Sequence, residues 1–135
     1  MVILGLDIST TCVGYAFTKD KKILDMGFIE IKKEKTPKEK VFKVLGFLNE
    51  SSYIDMTTNI NVEDNLSGFA GGFTSQQTII KLAKFNAILC FQLEEVFDME
   101  VHNINPMTAR KFVFGKARIK GIKAKEFVKM KIEEM

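Results

Sequence analysis

Two apolar runs, far apart in the chain, each finish at a carboxylate. Val2-Ile3-Leu4-Gly5-Leu6 runs into Asp7, and Ile60-Asn61-Val62 runs into Glu63 and Asp64. If both runs are strands, parallel and adjacent in one sheet, Asp7 and Glu63 meet at the same edge, about 4.8 Å from strand to strand. Carboxylates that close repel unless something positive lies between them. A hard divalent cation is the natural partner: oxygen ligands suit Mg²⁺, with Mn²⁺ as a substitute, and Mg²⁺ completes its shell with water and phosphate oxygens. Two such ions, roughly 3.5–4 Å apart, activate a water and stabilise the leaving oxygen of a phosphodiester. The functional crevice of an open sheet also lies at the carboxyl ends of its strands. A strand-end Asp is also a common turn former, so Asp7 alone is ambiguous. Glu63 is the stronger signal, because Glu is depleted in strands and lacks the turn habit. Asp64 is either a further ligand or a solvated neighbour.

Other reactive side chains offer less. Cys12 and Cys90 are distant in sequence and lack CxxC or zinc-type spacing, so both read as reduced thiols. His102, the single histidine, falls in a predicted strand with no partner pattern around it and reads as structural.

The elements that must position the acids follow from periodicity. The run to Ile8 reads as a buried central strand. Val13 to Thr18 and Ile23 to Ile31 read as two more, joined by short turns into an antiparallel meander, with Gly14 allowing close backbone approach. Thr36-Pro37-Lys38-Glu39 announces a helix: Thr36 caps, Pro37 suits the first turn and Glu39 closes a capping box. Val41, Val44, Leu45 and Leu48 then make one apolar face, ending near Glu50. Thr57 to Glu63 is a fourth strand. A glycine-rich loop, Leu66 to Phe73, leads to a long helix capped by Thr74 or Ser75, with Ile79, Ile80, Ala83, Ala87, Cys90 and Leu93 toward the core. Asp98 to Ile104 is a fifth strand. Asn105-Pro106 opens another helix, Gly115 to Gly121 is a basic loop, and Lys123 begins a last helix. The order βββαβαβα predicts an α/β fold with a five-stranded mixed sheet flanked by helices.

The 135 residues suit one domain, residues 1–135, and 46% hydrophobic with 27% charged residues fits a globular chain. No apolar stretch is long enough for a membrane span, no signal segment is visible, and a cytoplasmic location is expected. Net charge is only +3, but residues 108–135 hold nine bases and three acids, for +6, while the first 107 hold 11 bases and 14 acids, for −3. A basic tail on an acidic body suits a phosphate backbone, or is a solvated lysine face.

Ile3-Leu4-Gly5-Leu6-Asp7-Ile8-Ser9-Thr10-Thr11-Cys12-Val13-Gly14-Tyr15-Ala16 resembles the opening strand and hairpin of the RuvC-like Holliday junction resolvases, which have the RNase H-like fold. Asn61-Val62-Glu63-Asp64 resembles their fourth-strand glutamate motif. Asn105-Pro106-Met107-Thr108-Ala109-Arg110-Lys111 resembles the passage after their fifth strand, and Gly115-Lys116-Ala117-Arg118-Ile119-Lys120 with Lys123-Ala124-Lys125 resembles their basic DNA-contacting loop and next helix start. The resemblance implies that Asp7 and Glu63 are catalytic metal ligands, with Asp64 beside them. It implies that Phe69, or failing it Phe73, enters the junction centre. It assigns DNA contacts to Arg110, Lys111, Lys116, Arg118, Lys120, Lys123 and Lys125, a homodimer to the helix after Ser75, and a bacterial or phage setting. The family's final metal-binding acids start a last helix, and no Asp follows Asp98. A C-terminally truncated domain is therefore expected.

The leading expectation is a Mg²⁺-dependent endonuclease that resolves four-way DNA junctions. A catalytically deficient branched-DNA-binding protein of the same fold is the alternative, as is the related nuclease that matures ribosomal RNA. Asp7-Ile8-Ser9-Thr10-Thr11 also resembles the first phosphate loop of sugar kinases and actin-like ATPases, which need a second similar domain that 135 residues cannot supply.

Overall fold

The computed structural model describes residues 1–63 and 75–105. The elements are β1 (Val2–Ile8), β2 (Cys12–Lys19), β3 (Lys22–Glu30), α1 (Pro37–Asn49), a 3-10 turn (Ile54–Met56), β4 (Thr57–Glu63), α2 (Gln76–Phe97) and β5 (Val101–Ile104). They build one five-stranded mixed sheet in the order β3-β2-β1-β4-β5. β1, β2 and β3 form the antiparallel meander, and β4 and β5 add in parallel beside β1. The expected sheet is therefore the observed one. The glycine-rich loop and the elements expected beyond Asn105 lie outside the described residues.

Strict alternation of burial along β1 gives the sheet two different faces. Val2, Leu4, Leu6 and Ile8 are buried, and they share one face with Val13, Phe17, Ile29, Ile60 and Val62. Both helices cover that face, contributing Val41, Val44, Leu45 and Leu48 from α1 and Leu82, Phe85, Leu89 and Leu93 from α2. The residues between them in the sheet, Asp7 included, point to the other face.

The helix starts are built as their sequences dictate. Thr36 accepts from the Glu39 amide at 3.2 Å, while the Glu39 carboxylate accepts from the Lys35 amide at 3.1 Å. Ser75, rather than Thr74, caps α2 by accepting from the Thr78 amide at 3.2 Å. The β2–β3 hairpin turns through Asp20 and Lys21, both with positive φ (51° and 66°), the handedness that two-residue hairpins favour. At Gly27 a side chain would be tight: a Cβ there would lie 3.0 Å from the Tyr15 hydroxyl, so that ring, which packs on Phe47 at 5.1 Å between centroids, would have to give by a few tenths of an ångström.

Three expectations need correction. The core face of α2 is turned: Leu93 is buried as expected, but Ile80 and Ala87 are exposed, Ile79, Ala83 and Cys90 only half-buried, and Leu82, Phe85 and Leu89 complete the inner seam with Leu93. Leu and Phe remove more apolar area from water than Ala and Cys do, so this seam wins. β5 begins at Val101 rather than Asp98, because α2 continues to Phe97 and closes with Asp98 in the left-handed conformation, which Asp tolerates. Finally, Gly14 is not there for close backbone approach. The nearest atom to a Cβ on Gly14 would be Asp7 Cβ, an ordinary 3.7 Å away.

Candidate functional site

The register brings the two acids together. β1 and β4 pair in parallel up to Leu6 opposite Val62, so one residue further on Asp7 and Glu63 come abreast. Both lie off the core face, Asp7 exposed and Glu63 half-buried, at the carboxyl ends of adjacent strands. Pairing continues outward on both sides: Gly14 stands opposite Asp7, Phe28 opposite Gly14, and Ile104 opposite Glu63. A single row thus crosses the sheet as Phe28, Gly14, Asp7, Glu63, Ile104. One pleat back, the same face carries Met26, Ala16, Gly5, Asn61 and His102.

Two glycines border Asp7 on the acids' face of the sheet. Gly14 lies beside Asp7 across the strands and Gly5 lies behind it along β1, and a Cβ on either would meet nothing nearer than 3.7 Å. Among the described residues, Asp7 therefore projects over hydrogen atoms on two sides. The two carboxylates supply the hard oxygen ligands that Mg²⁺ prefers. No group of three or more His, Cys, Asp or Glu side chains suited to a metal occurs among the described residues. Two carboxylates plus phosphate oxygens and water still make an ordinary Mg²⁺ site.

The turn that follows Asp7 is held from three directions. Ser9 Oγ accepts from the Cys12 amide at 3.1 Å and donates to the Cys12 carbonyl at 2.7 Å. The Ile31 amide donates to the Thr11 carbonyl at 2.9 Å. Lys40 Nζ, reaching across from α1, donates to the Thr10 carbonyl at 2.6 Å. Charge-assisted bonds of this kind are the strong ones, so the backbone carrying Asp7 is well fixed.

The other reactive groups stay apart. His102 sits on the outer strand β5, on the acids' face but opposite Asn61, and its Nε2 lies 4.0 Å from Glu100. Cys90 is half-buried on α2 and donates to Asn86 Oδ1 at 3.4 Å. Burial, then the nearby Glu94 charge, push its thiol up to about 11, far from nucleophilic use. Asp64, Phe69, Phe73, Arg110, Lys111, Lys116, Arg118, Lys120, Lys123 and Lys125 lie outside the described residues.

The sequence reading missed one feature at this end of the sheet. Residues 32–43 hold six lysines against Glu34 and Glu39. Counting the first 107 residues as one acidic block hid this local excess, which a short charge window would have exposed.

No family model and no curated protein matches the chain. Solved structures do. RuvC from Thermus thermophilus superposes with a TM-score of 0.65 at 18% identity, covering 99% of this chain and 79% of that one. The structure of T. thermophilus RuvC in complex with a Holliday junction substrate gives a TM-score of 0.69 at 16% identity, over 96% and 76%. A ROK hexokinase from T. thermophilus is more distant, with a TM-score of 0.56 at 16% identity, over 87% of this chain and 39% of that one. At such identities the likeness is one of fold: the chain has the RNase H-like fold that RuvC has.

Proposed function

We propose that this protein is a RuvC-like, structure-selective endodeoxyribonuclease that cuts four-way DNA junctions with Mg²⁺, or with Mn²⁺ in its place. One observation carries the reading: Asp7 and Glu63 stand abreast at the carboxyl ends of adjacent parallel strands, over a glycine floor. The likeness to a RuvC structure that holds a Holliday junction substrate supports DNA over other phosphodiesters.

Asp7 and Glu63 would hold the metal, with Asp64 as a further oxygen ligand. When bound, the cation supplies charge neutralisation at the phosphate and lowers the pKa of its water. The chain does the rest. The Ser9–Cys12 turn, pinned by Lys40 and by Ile31, keeps the Asp7 carboxylate fixed relative to Glu63. The absent side chains at Gly5 and Gly14 admit the scissile phosphate to that pair. Arg110, Lys111, Lys116, Arg118, Lys120, Lys123 and Lys125 would grip flanking phosphates, which positions the duplex without reading sequence. Phe69, or Phe73, would stack at the crossover. The exposed stripe Ile80, Ile88 and Phe91 on α2 supports a homodimer, which two symmetric cuts require. No helix among the described residues is long and apolar enough to cross a membrane. The same reading would put the protein on DNA in a bacterial or phage-infected cytoplasm.

A second reading is a branched-DNA-binding protein without turnover. It is favoured by the acid count, which stops at two among the described residues. A third, cleavage of structured ribosomal RNA, uses the same acid pair. Incubating the protein with Mg²⁺ and matched synthetic substrates separates the three. Symmetric nicks in a DNA junction support the nuclease, tight binding without nicks supports the second reading, and cutting of structured RNA alone supports the third.

A further inference from the structure

The β3–α1 connection carries more charge than the acid pair can explain. Of the six lysines in residues 32–43, three are engaged: Lys43 pairs with Glu34 at 3.2 Å, Lys38 lies 5.8 Å over the Phe42 ring, and Lys40 holds the Thr10 carbonyl. Lys32, Lys33 and Lys35 are exposed, with no ion pair to another side chain among the described residues. The first turn of α1 is capped by Thr36 and Glu39, so an anion arriving here meets ammonium groups.

These lysines stand at the working end of the sheet. The Ile31 amide and Lys40 fasten their segment to the turn that follows Asp7. Beside them β3 directs two large apolar side chains onto the acids' own face, Phe28 at 70% exposure and Met26 at 53%. Phe28 is two strands from Asp7, roughly 10 Å, and only Gly14 lies between them in the row. A strand of DNA advances roughly 3.4 Å per nucleotide, so this ring is within about three nucleotides of a phosphate at the acid pair. Thr11, Cys12, Phe28, Glu30 and Lys32 line a hollow of about 280 Å³.

An exposed aromatic face with Lys32 lining the same hollow, and with Lys33 and Lys35 following it in the chain, fits one ligand class well: an unpaired nucleotide, whose base stacks and whose phosphates take the ammonium groups. Glu30 sharpens this. Its carboxylate repels phosphate from the hollow but accepts from a base amino group. We propose that Phe28, with Lys32, Lys33 and Lys35, forms a subsite for an unpaired nucleotide of the strand whose phosphate lies at Asp7 and Glu63. The subsite rests on the nuclease reading given above, but its binding step needs no metal.

The test is fluorescence anisotropy in EDTA with a single-stranded oligonucleotide carrying 2-aminopurine. Phe28→Ala, at an exposed position, should fold normally, bind about fivefold to a hundredfold more weakly, and lose the quenching that stacking causes. Phe28→Trp should restore both. Reversing Lys32, Lys33 and Lys35 to Glu should lower the slope of log affinity against log salt by about 2, at about 0.7 per lost phosphate contact. Unchanged affinity and quenching in Phe28→Ala would overturn the proposal. So would a Phe28→Ala protein that binds normally but no longer self-associates, which would give the ring to a contact between copies. The two readings fail separately: oligonucleotide binding that depends on Phe28 in a protein that nicks no junction leaves the subsite standing and removes the nuclease, while full nicking with binding indifferent to Phe28 removes only the subsite.

Discussion

Replacing Asp7 by Asn, or Glu63 by Gln, should separate metal binding from folding. The two carboxyl groups project from adjacent strands on one face, at about 5 Å by strand spacing. At that distance like charges repel by about 0.8 kcal/mol in a water-like medium, and Asp7 is exposed enough for that lower figure to apply. Neutralising either acid removes that repulsion, so each protein is compared with itself, without and then with divalent cations. A cation at ten times its dissociation constant stabilises the wild type by about 1.4 kcal/mol. With an unfolding entropy of about 2.1 cal/mol/K per residue, that raises Tm by about 5 °C in a chain of 135 residues. Neither variant should show the rise. The assay is thermal unfolding followed by circular dichroism, in EDTA and then across a Mg²⁺ titration with Ca²⁺ as a comparison. If Mg²⁺ raises the Tm of both variants as much as that of the wild type, the cation binds elsewhere and the shared-pocket reasoning is wrong.

Three further outcomes follow from the same geometry. Gly14→Val should keep or slightly raise Tm, since valine suits a strand far better than glycine, yet depress Mg²⁺-dependent cutting by filling the space beside Asp7; undiminished activity would show that the space is not needed. Lys21→Gly should stabilise the protein by about 1 kcal/mol, read as a rise of a few degrees in Tm, because Lys21 holds a φ of 66° that glycine adopts without strain. Phe91→Glu, on the exposed stripe of α2, should yield a monomer in sedimentation equilibrium with unchanged circular dichroism, whereas Leu89→Ala, on the buried seam, should cost roughly 2–5 kcal/mol of stability.

What could be read from the sequence, and what could not, divides along physical lines. β1 was legible because a short apolar run ending in a charged residue has few alternatives in a globular domain. The cap at Thr36 was legible, and that of α2 to within the pair Thr74 or Ser75, because a hydroxyl three residues ahead of a free amide is a local, nearly context-free signal. The face of α2 was not legible, since Ile80, Ile88, Phe91 and Val96 stay exposed while Leu82, Phe85, Leu89 and Leu93 are inside. A helix apolar on two sides leaves the choice to packing against the sheet. The start of β5 was obscured by Asp98, whose left-handed cap resembles the polar opening of a strand. For the site, the types of Asp7 and Glu63 suggested the chemistry, but only the register of β1 on β4 makes them neighbours. The role of Gly14 also needed the structure, because close backbone approach and an empty floor look alike in one dimension.

The most direct test of the acid pair is Mg²⁺-dependent nicking of a synthetic four-way junction, with the wild type, Asp7→Asn and Glu63→Gln side by side. The expected result is paired nicks from the wild type and a loss of about a hundredfold or more in each variant, with junction binding retained. Cutting at the wild-type rate by both variants would contradict the account.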